Sequence, residues 1–403
     1  MERQLDLRTG RPVWMAYRAP RVLTARLTRD VAADVLVVGM GISGAMAAEA
    51  LTAERLSVIM IDRRGPLRGS TPATTALVQF EIDTPLTGLG GMLGAEVAAR
   101  AWARSRLAVA ALKARIETLG IACDLAERAS LYLAGNLLTG AALRAEAEAR
   151  RAIGLHADYL TAAPLREAWG IEREGAIVSR GNLALDPRKL TARLLLAALA
   201  RGARAYAPAE AVAFEAGRSG VAVATAGGPV ISVGHVVLAT GYELAGPAPG
   251  KGHEVISTWA MATRRQRRRL WPGEAFMWEA SEPYLYLRAT PDGRVICGGE
   301  DEPFEDEARR DAAIPDKVAR ISAKLSRLLP GIDATPEFAW AGAFGTTTTG
   351  LPRIGPVPAS PRLFAVMGYG GNGVTFSRLA AELAVAWATG REDRDAGLFA
   401  FPD

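Results

Sequence analysis

DVLVVGMGISGAMAAEALTAERLSVIMIDRR, residues 34–64, is the stretch whose reading decides the fold. Residues 35–38 are apolar and largely β-branched, which suits a short buried strand, and they run directly into Gly39-Met40-Gly41-Ile42-Ser43-Gly44. Residues 45–55 carry strong helix formers without a break, and residues 57–61 read as a second buried strand ending on Asp62. The expected unit is therefore strand, glycine turn, helix, strand. Gly39 serves the tight turn, Gly41 lets backbone approach a pyrophosphate, and Gly44 lets the helix pack against the strand. A diphosphate would then rest on the positive helix N-terminus, where Ile42 and Ser43 open the first turn. Asp62 falls about 20 residues on, where a carboxylate accepts hydrogen bonds from an adenosine ribose. NAD and FAD both use this unit, and the acid alone does not choose between them.

Working outward, the 403 residues exceed what a single core usually serves, so two domains are expected. Hydrophobic residues make up 49% of the chain, enough for a globular core. No apolar run reaches the roughly 18 residues of a spanning helix, and the first residues lack the apolar centre of a secretory signal. The expectation is a soluble cytoplasmic protein. Cys123 and Cys297 cannot form a disulfide framework, and His156, His235 and His253 are scattered, so no metal site is expected. The net charge of +5 favours anionic small molecules. The one basic run, residues 264–269, lacks the interleaved aromatics of a nucleic-acid reader and reads as a solvated face.

Residues 1–30 read as a surface extension with Trp14 and Tyr17 as packing anchors. Residues 69–76, GSTPATTA, form a small hydroxyl-rich loop just after the second strand, at the sheet edge where ligands collect. Helices are expected over 94–119, 139–153 and 186–202, the last with an Asp186 cap and Pro187 in the first turn. Residues 209–215, 221–225 and 230–232 read as an antiparallel meander leading to a buried strand that closes on Thr240-Gly241. Residues 254–269 and 284–298 are strand-like. Within the second of these, a period of two puts Tyr284, Tyr286 and Arg288 on one face, a wall suited to a carboxylate. Finally, an apolar strand at 363–367 meets the glycine segment 368–376 and a helix over 377–388. Main-chain N–H groups at that helix start suit negative charge on a reduced ring.

Taken together, these motifs resemble the FAD-dependent oxidoreductases of the D-amino-acid oxidase superfamily, the group of glycine oxidase, sarcosine oxidase and γ-glutamylputrescine oxidoreductase. The resemblance rests on DVLVVGMGISG with Asp62, GSTPATTALVQFEID, HVVLATGYE, WAGAFGTTTTGLPRIGPVP and MGYGGNGVTFSRLAAELA. It implies an α/β fold in which a Rossmann-like FAD domain of the glutathione-reductase type is interleaved with an α+β substrate domain built on an antiparallel sheet. The implied FAD domain takes 31–90, 176–246 and 336–403; the substrate domain takes 91–175 and 247–335. By position, the resemblance assigns Gly39, Gly41, Ile42, Ser43 and Gly44 to the diphosphate and Asp62 and Arg63 to the adenosine side. Gly69, Ser70, Thr71, Thr74 and Thr75 go to the diphosphate and flavin edge, and Val212, through its backbone, to adenine. Thr240 and Gly241 join the cofactor contacts, and Gly371, Asn372, Gly373, Val374 and Thr375 lie beside the flavin pyrimidine.

Two departures from the resemblance carry information. Residues 340–349 contain no cysteine to tether a flavin, so the FAD is expected to be non-covalent. The segment 294–298 carries no lysine where related oxidases use one to promote reaction with oxygen, which leaves O2 and another electron acceptor both open. The expected reaction is oxidation of the C–N bond of a small amine or amino acid by hydride transfer to flavin N5, giving an imine that hydrolyses. Arg288 would hold a carboxylate, with Tyr284 and Tyr286 shaping the pocket. The alternatives are an FAD-dependent 2-hydroxy-acid dehydrogenase, or an FAD-containing subunit or nucleic-acid-associated protein.

Overall fold

In the computed structural model, which describes residues 6–243, 246–248, 250 and 252–402, the strand Val31–Val38 lies inside an eight-stranded sheet. It pairs in parallel with Val58–Ile61 on one side and Val230–Leu238 on the other. Arg204–Tyr206 and Ser360–Met367 continue the parallel set outward, and Arg353–Val357 closes one edge antiparallel. Alternation along the central strand decides what covers each face. Val35 and Val37 pack into the cluster shared with the helices Ile42–Ala53, Pro187–Ala200 and Gly373–Ala388. Leu36 points to the opposite face, against the meander of Ala211–Ala216 and Val221–Thr225.

The second sheet has ten strands, antiparallel except where Ala126–Leu133 runs parallel to Phe276–Glu279. In spatial order it runs Arg8–Gly10, Pro336–Thr346, Glu254–Thr263, Val295–Glu302, Leu285–Ala289, Phe276–Glu279, Ala126–Leu133, Gly175–Ala184 and Leu77–Val78, with Asp158–Thr161 beside Gly175–Ala184. The amphipathic helix Ile314–Leu328 covers one face, burying Val318, Ile321 and Leu325 among Trp259, Met261 and Leu287.

Sheet membership redraws the expected domain limits. Gly175–Ala184 and Pro336–Thr346, placed by sequence almost wholly with the nucleotide half, hydrogen-bond in the ten-stranded sheet, as do Leu77–Val78 and Arg8–Gly10. The eight-stranded sheet is still drawn from three segments, 31–61, 204–238 and 353–367, with the ten-stranded sheet taking strands before and between them. The expected helix over 94–119 is Ala95–Thr118, preceded by a separate helix Leu86–Leu93. Gly94 breaks the two apart at φ +89°. The basic run is not strand: Glu254–Thr263 ends before it, and Arg267–Arg269 form one 3-10 turn. Trp14 is an anchor, buried, with its indole N–H donated to the Thr74 carbonyl at 2.6 Å. Among the described residues no helix is long and apolar enough to cross a membrane.

Candidate active site

The glycine turn is held by close backbone packing. A side chain on Gly44 would put its Cβ 1.9 Å from the Gly39 carbonyl oxygen, and one on Gly39, at φ +109°, would sit 2.3 Å from the Ala239 oxygen. Only glycine permits the helix and the neighbouring strand end to approach this turn so closely. The Ile42 N–H donates to the Thr71 hydroxyl at 3.1 Å, which ties the helix start to the hydroxyl-rich loop. The Ser43 and Ser377 hydroxyls meet at 2.8 Å, so the first turns of Ile42–Ala53 and Gly373–Ala388 stand side by side. Two helix N-termini thus face one cavity, the arrangement that favours anionic groups.

That cavity has a volume of about 280 Å³ and runs from the first glycine turn to the C-terminal glycine segment. Gly39, Gly41, Ile42, Ser43, Asp62, Arg63, Gly69, Ser70, Thr71, Thr74, Thr75, Thr240 and Gly241 line it, and Gly371, Asn372, Gly373 and Val374 line its far end. Asp62 accepts from the Met40, Arg64 and Gly65 N–H groups, each at 2.8 Å. Burial pushes its carboxyl above the usual range against the pull of those donors. Beside it, Arg63 and Arg64 both pair with Glu243, Arg64 through two bonds of 2.6 Å, joining the end of one parallel strand to the loop after another.

Two expected cofactor residues stand elsewhere. Gly44 acts one layer back, through its packing on Gly39. Thr375 is wholly buried and donates to the Gln79 carbonyl at 2.6 Å, fixing the glycine segment to the strand-end loop rather than facing the cavity. The Val212 side chain is 58% exposed, as suits a contact expected from its backbone, and its neighbours Ala209, Glu210, Ala211 and Phe214 line the cavity.

Of the three expected catalytic residues, Tyr284 and Tyr286 line the cavity and Arg288 does not. Arg288 shares their strand face, but it donates to the carbonyls of Ala76 at 2.5 Å and Leu185 at 3.1 Å. Its guanidinium lies over the Trp14 and Phe276 rings, 5.4 and 5.8 Å from the centroids. Burial lowers its pKa to about 9. The expected carboxylate ligand is therefore a structural clasp, covered by the N-terminal extension and the loop after Thr75.

Sequence reasoning missed the acids. The Tyr284 hydroxyl donates to Asp301 at 2.5 Å. Desolvation is the main cause raising the Asp301 carboxyl from 3.8 to about 6 and the Tyr284 phenol well above its ordinary value. Asp83 lines the cavity and accepts from the Gly371 N–H at 2.7 Å, and burial raises its carboxyl too. Trp278, Tyr242, Tyr369 and Phe344 complete the aromatic wall. One signal was present in the sequence: Gly298-Gly299 follow Tyr284 and Tyr286 in the next strand. A Cβ on Gly298 would fall 2.4 Å from the Tyr286 hydroxyl, and Gly299 sits at φ +138° against the Tyr284 carbonyl.

A strand-turn-helix cradle, an acid at the second strand end and a cavity continuing to a second helix start define the class as a dinucleotide-binding oxidoreductase. The model of the DAO family, FAD dependent oxidoreductase, matches residues 34–387, and the chain belongs to that family. The site therefore takes FAD, and the glycine cradle and paired helix starts fit it. Among solved structures, glycine oxidase from Geobacillus kaustophilus is similar at 22% identity and TM-score 0.72, over 90% of this chain and 96% of that one. L-proline dehydrogenase from P. horikoshii is similar at 18% identity and TM-score 0.75, over 93% and 97%. L-amino acid deaminase from Proteus vulgaris is similar at 16% identity and TM-score 0.73, over 95% and 99%. These likenesses show the fold. No curated protein matches the sequence significantly.

Proposed function

We propose that this protein oxidises the C–N bond of a small amine or amino acid. The observation that carries the reading is the cavity itself: one end is the diphosphate cradle, and the other is a chamber walled by Tyr284, Tyr286, Trp278 and Asp83. The similar solved structures are named as amino-acid or imino-acid oxidoreductases, which supports the same class.

Bound FAD supplies a two-electron acceptor. The chain's own part is placement and exclusion of water. Gly371, Asn372, Gly373 and Val374, at the start of Gly373–Ala388, would hold the cofactor's ring end, with main-chain N–H groups and the helix dipole favouring negative charge there. Ser70, Thr71, Thr74 and Thr75 would hold its other edge, and Asp62 and Arg63 the adenosine side. Tyr284 and Tyr286, with rings tilted 30° and centroids 5.7 Å apart, form the wall against which the substrate lies. The amine carbon loses hydrogen as hydride and becomes an imine carbon; water then yields a carbonyl compound and ammonia or a smaller amine. Cys123 and Cys297 are buried free thiols and neither lines the cavity, which supports non-covalent binding of FAD.

The test is an absorbance spectrum of the purified protein titrated anaerobically with amines, amino acids and 2-hydroxy acids, then opened to air. Bleaching near the flavin maximum by amines or amino acids supports the reading, and recovery in air assigns oxygen as an acceptor. Bleaching by 2-hydroxy acids alone would replace it.

A further inference from the structure

We infer that the substrate chamber takes an amine that enters as a cation and carries no carboxylate on the reacting carbon. This rests on the amine-oxidation reading above and narrows it.

The chamber's charge is what a carboxylate would avoid. Asp83 lines it directly, and Tyr284 lines it with Asp301 immediately behind. Asp301 Oδ2 accepts the Tyr284 hydrogen bond, and the Thr258 hydroxyl lies close enough to favour the ionised carboxyl. Asp83 and Asp301 are close enough for each carboxylate's field to bear on the other pocket groups: Asp83 raises the Tyr242, Tyr284 and Asp301 pKa values, and Glu282 adds to the shift of Asp301. Two carboxylates whose fields oppose each other in this way, Asp83 open to the chamber and Asp301 partly covered behind Tyr284, are both relieved by a cation in the chamber.

No positive side chain among the described residues competes for that place. Among the described residues, the basic ones lining the cavity are Arg63 and Arg64, at the opposite end and paired with Glu243. Arg288 is spent on main-chain carbonyls. Arg150 lies over Tyr132, which itself stacks on Trp278 at 3.7 Å, and pairs with Glu146 at 2.7 Å. Trp278, Tyr286, Tyr242, Tyr369 and Phe344 supply aromatic faces that attract a cation, and the neutral polar groups beside them, Thr258 and Gln79, whose Nε2 has no partner among the described residues, bring no positive charge to balance a carboxylate. An α-amino acid would bring its carboxylate against Asp83 and Tyr284–Asp301, where like charge opposes its binding. Tyr284 is the group placed to meet the ammonium, which gives up one N–H proton, with Asp83 on the same wall as the base at hand, before hydride leaves its carbon. Asp301, acting through Tyr284, is a positioning residue that keeps the phenol oxygen turned to the cavity as an acceptor.

The test uses holoprotein and matched pairs that differ by the carboxylate on the one reacting carbon: butylamine against norvaline, phenethylamine against phenylalanine. Anaerobic stopped-flow reduction of the flavin should favour the carboxylate-free member of each pair by at least about tenfold in rate over Kd. Binding is read separately, from perturbation of the flavin spectrum by benzyltrimethylammonium, which cannot be oxidised in this way, against benzoate. The cation should bind and benzoate should not, and Asp301→Asn should weaken the cation at least about tenfold and flatten the pH dependence of its binding. Equal or faster reduction by the amino acids, or benzoate binding tighter than the cation, overturns the inference and leaves amine oxidation standing. Reduction by none of the four, in protein whose flavin dithionite bleaches, overturns both.

Discussion

Replacing Asp301 by Asn should change how the stability of this protein depends on pH. The carboxyl is raised from 3.8 to about 6, mainly by desolvation. A carboxyl that holds its proton more tightly in the folded chain than in the unfolded one stabilises the fold at low pH. That stability is full below the unfolded value and is lost as pH rises through the folded one. A carboxyl raised from 3.8 to about 6 contributes about 3 kcal/mol in all. The unfolded chain begins to titrate near 3.8, so part of this is gone by about pH 5, and ~1.5 kcal/mol remains to be lost between about pH 5 and about pH 8. Asn can still accept the Tyr284 hydrogen bond but cannot ionise. Urea denaturation of apoprotein at the two pH values should therefore show the wild type losing ~1.5 kcal/mol more than Asp301→Asn. A saturating non-oxidisable ammonium ion should remove the difference by stabilising the carboxylate. Identical pH dependence in the two proteins would refute the claim that Asp301 is desolvated behind Tyr284.

Three further outcomes follow from the packing. Gly44→Ala drives a Cβ to 1.9 Å from the Gly39 oxygen, so the variant should purify with little bound flavin, read as the ratio of visible to ultraviolet absorbance. Arg288→Met leaves the Ala76 and Leu185 carbonyls without their donor and should cost about 2–4 kcal/mol in denaturation. Its turnover per bound flavin should stay within about threefold of wild type, whereas a residue holding substrate would lose far more. Glu146→Gln strands the wholly buried Arg150 guanidinium and should destabilise by about 3–5 kcal/mol, checked by thermal melting and denaturant titration.

The nucleotide-binding half was legible because its signals are local. A short apolar run, a turn that only glycine can make and an acid at a fixed distance specify one supersecondary unit before anything else is known. The glycine segment at 368–376 was readable on the same grounds, and so was Pro187–Ala200, where Asp186 accepts from the Arg188 and Lys189 N–H groups. Arg288 shows where such reading ends. Alternation places a side chain on a face, but what covers the face is decided by distant chain. Four residues at roughly 3.3 Å each carry the strand some 13 Å from Tyr284, out of the chamber and beneath Trp14. Asp83 and Asp301 escaped for the converse reason: each sits alone in sequence, and only the fold brings them near one chamber. The strands Gly175–Ala184 and Pro336–Thr346 look like any half-buried strand, and hydrogen-bond partners from far along the chain determine which sheet they join. Ile314–Leu328 was legible as well: Val318, Ile321, Leu325 and Leu328 recur at the three- and four-residue spacing of one helix face.

The central claim is that Gly39–Gly44 and the start of Gly373–Ala388 embrace one FAD without a covalent link. Acid precipitation of purified protein, followed by a spectrum and chromatography of the supernatant, tests it most directly. The account predicts about one equivalent of FAD per chain, released intact into the supernatant. A colourless protein that takes up no added FAD, or a flavin that remains with the precipitate, would contradict it.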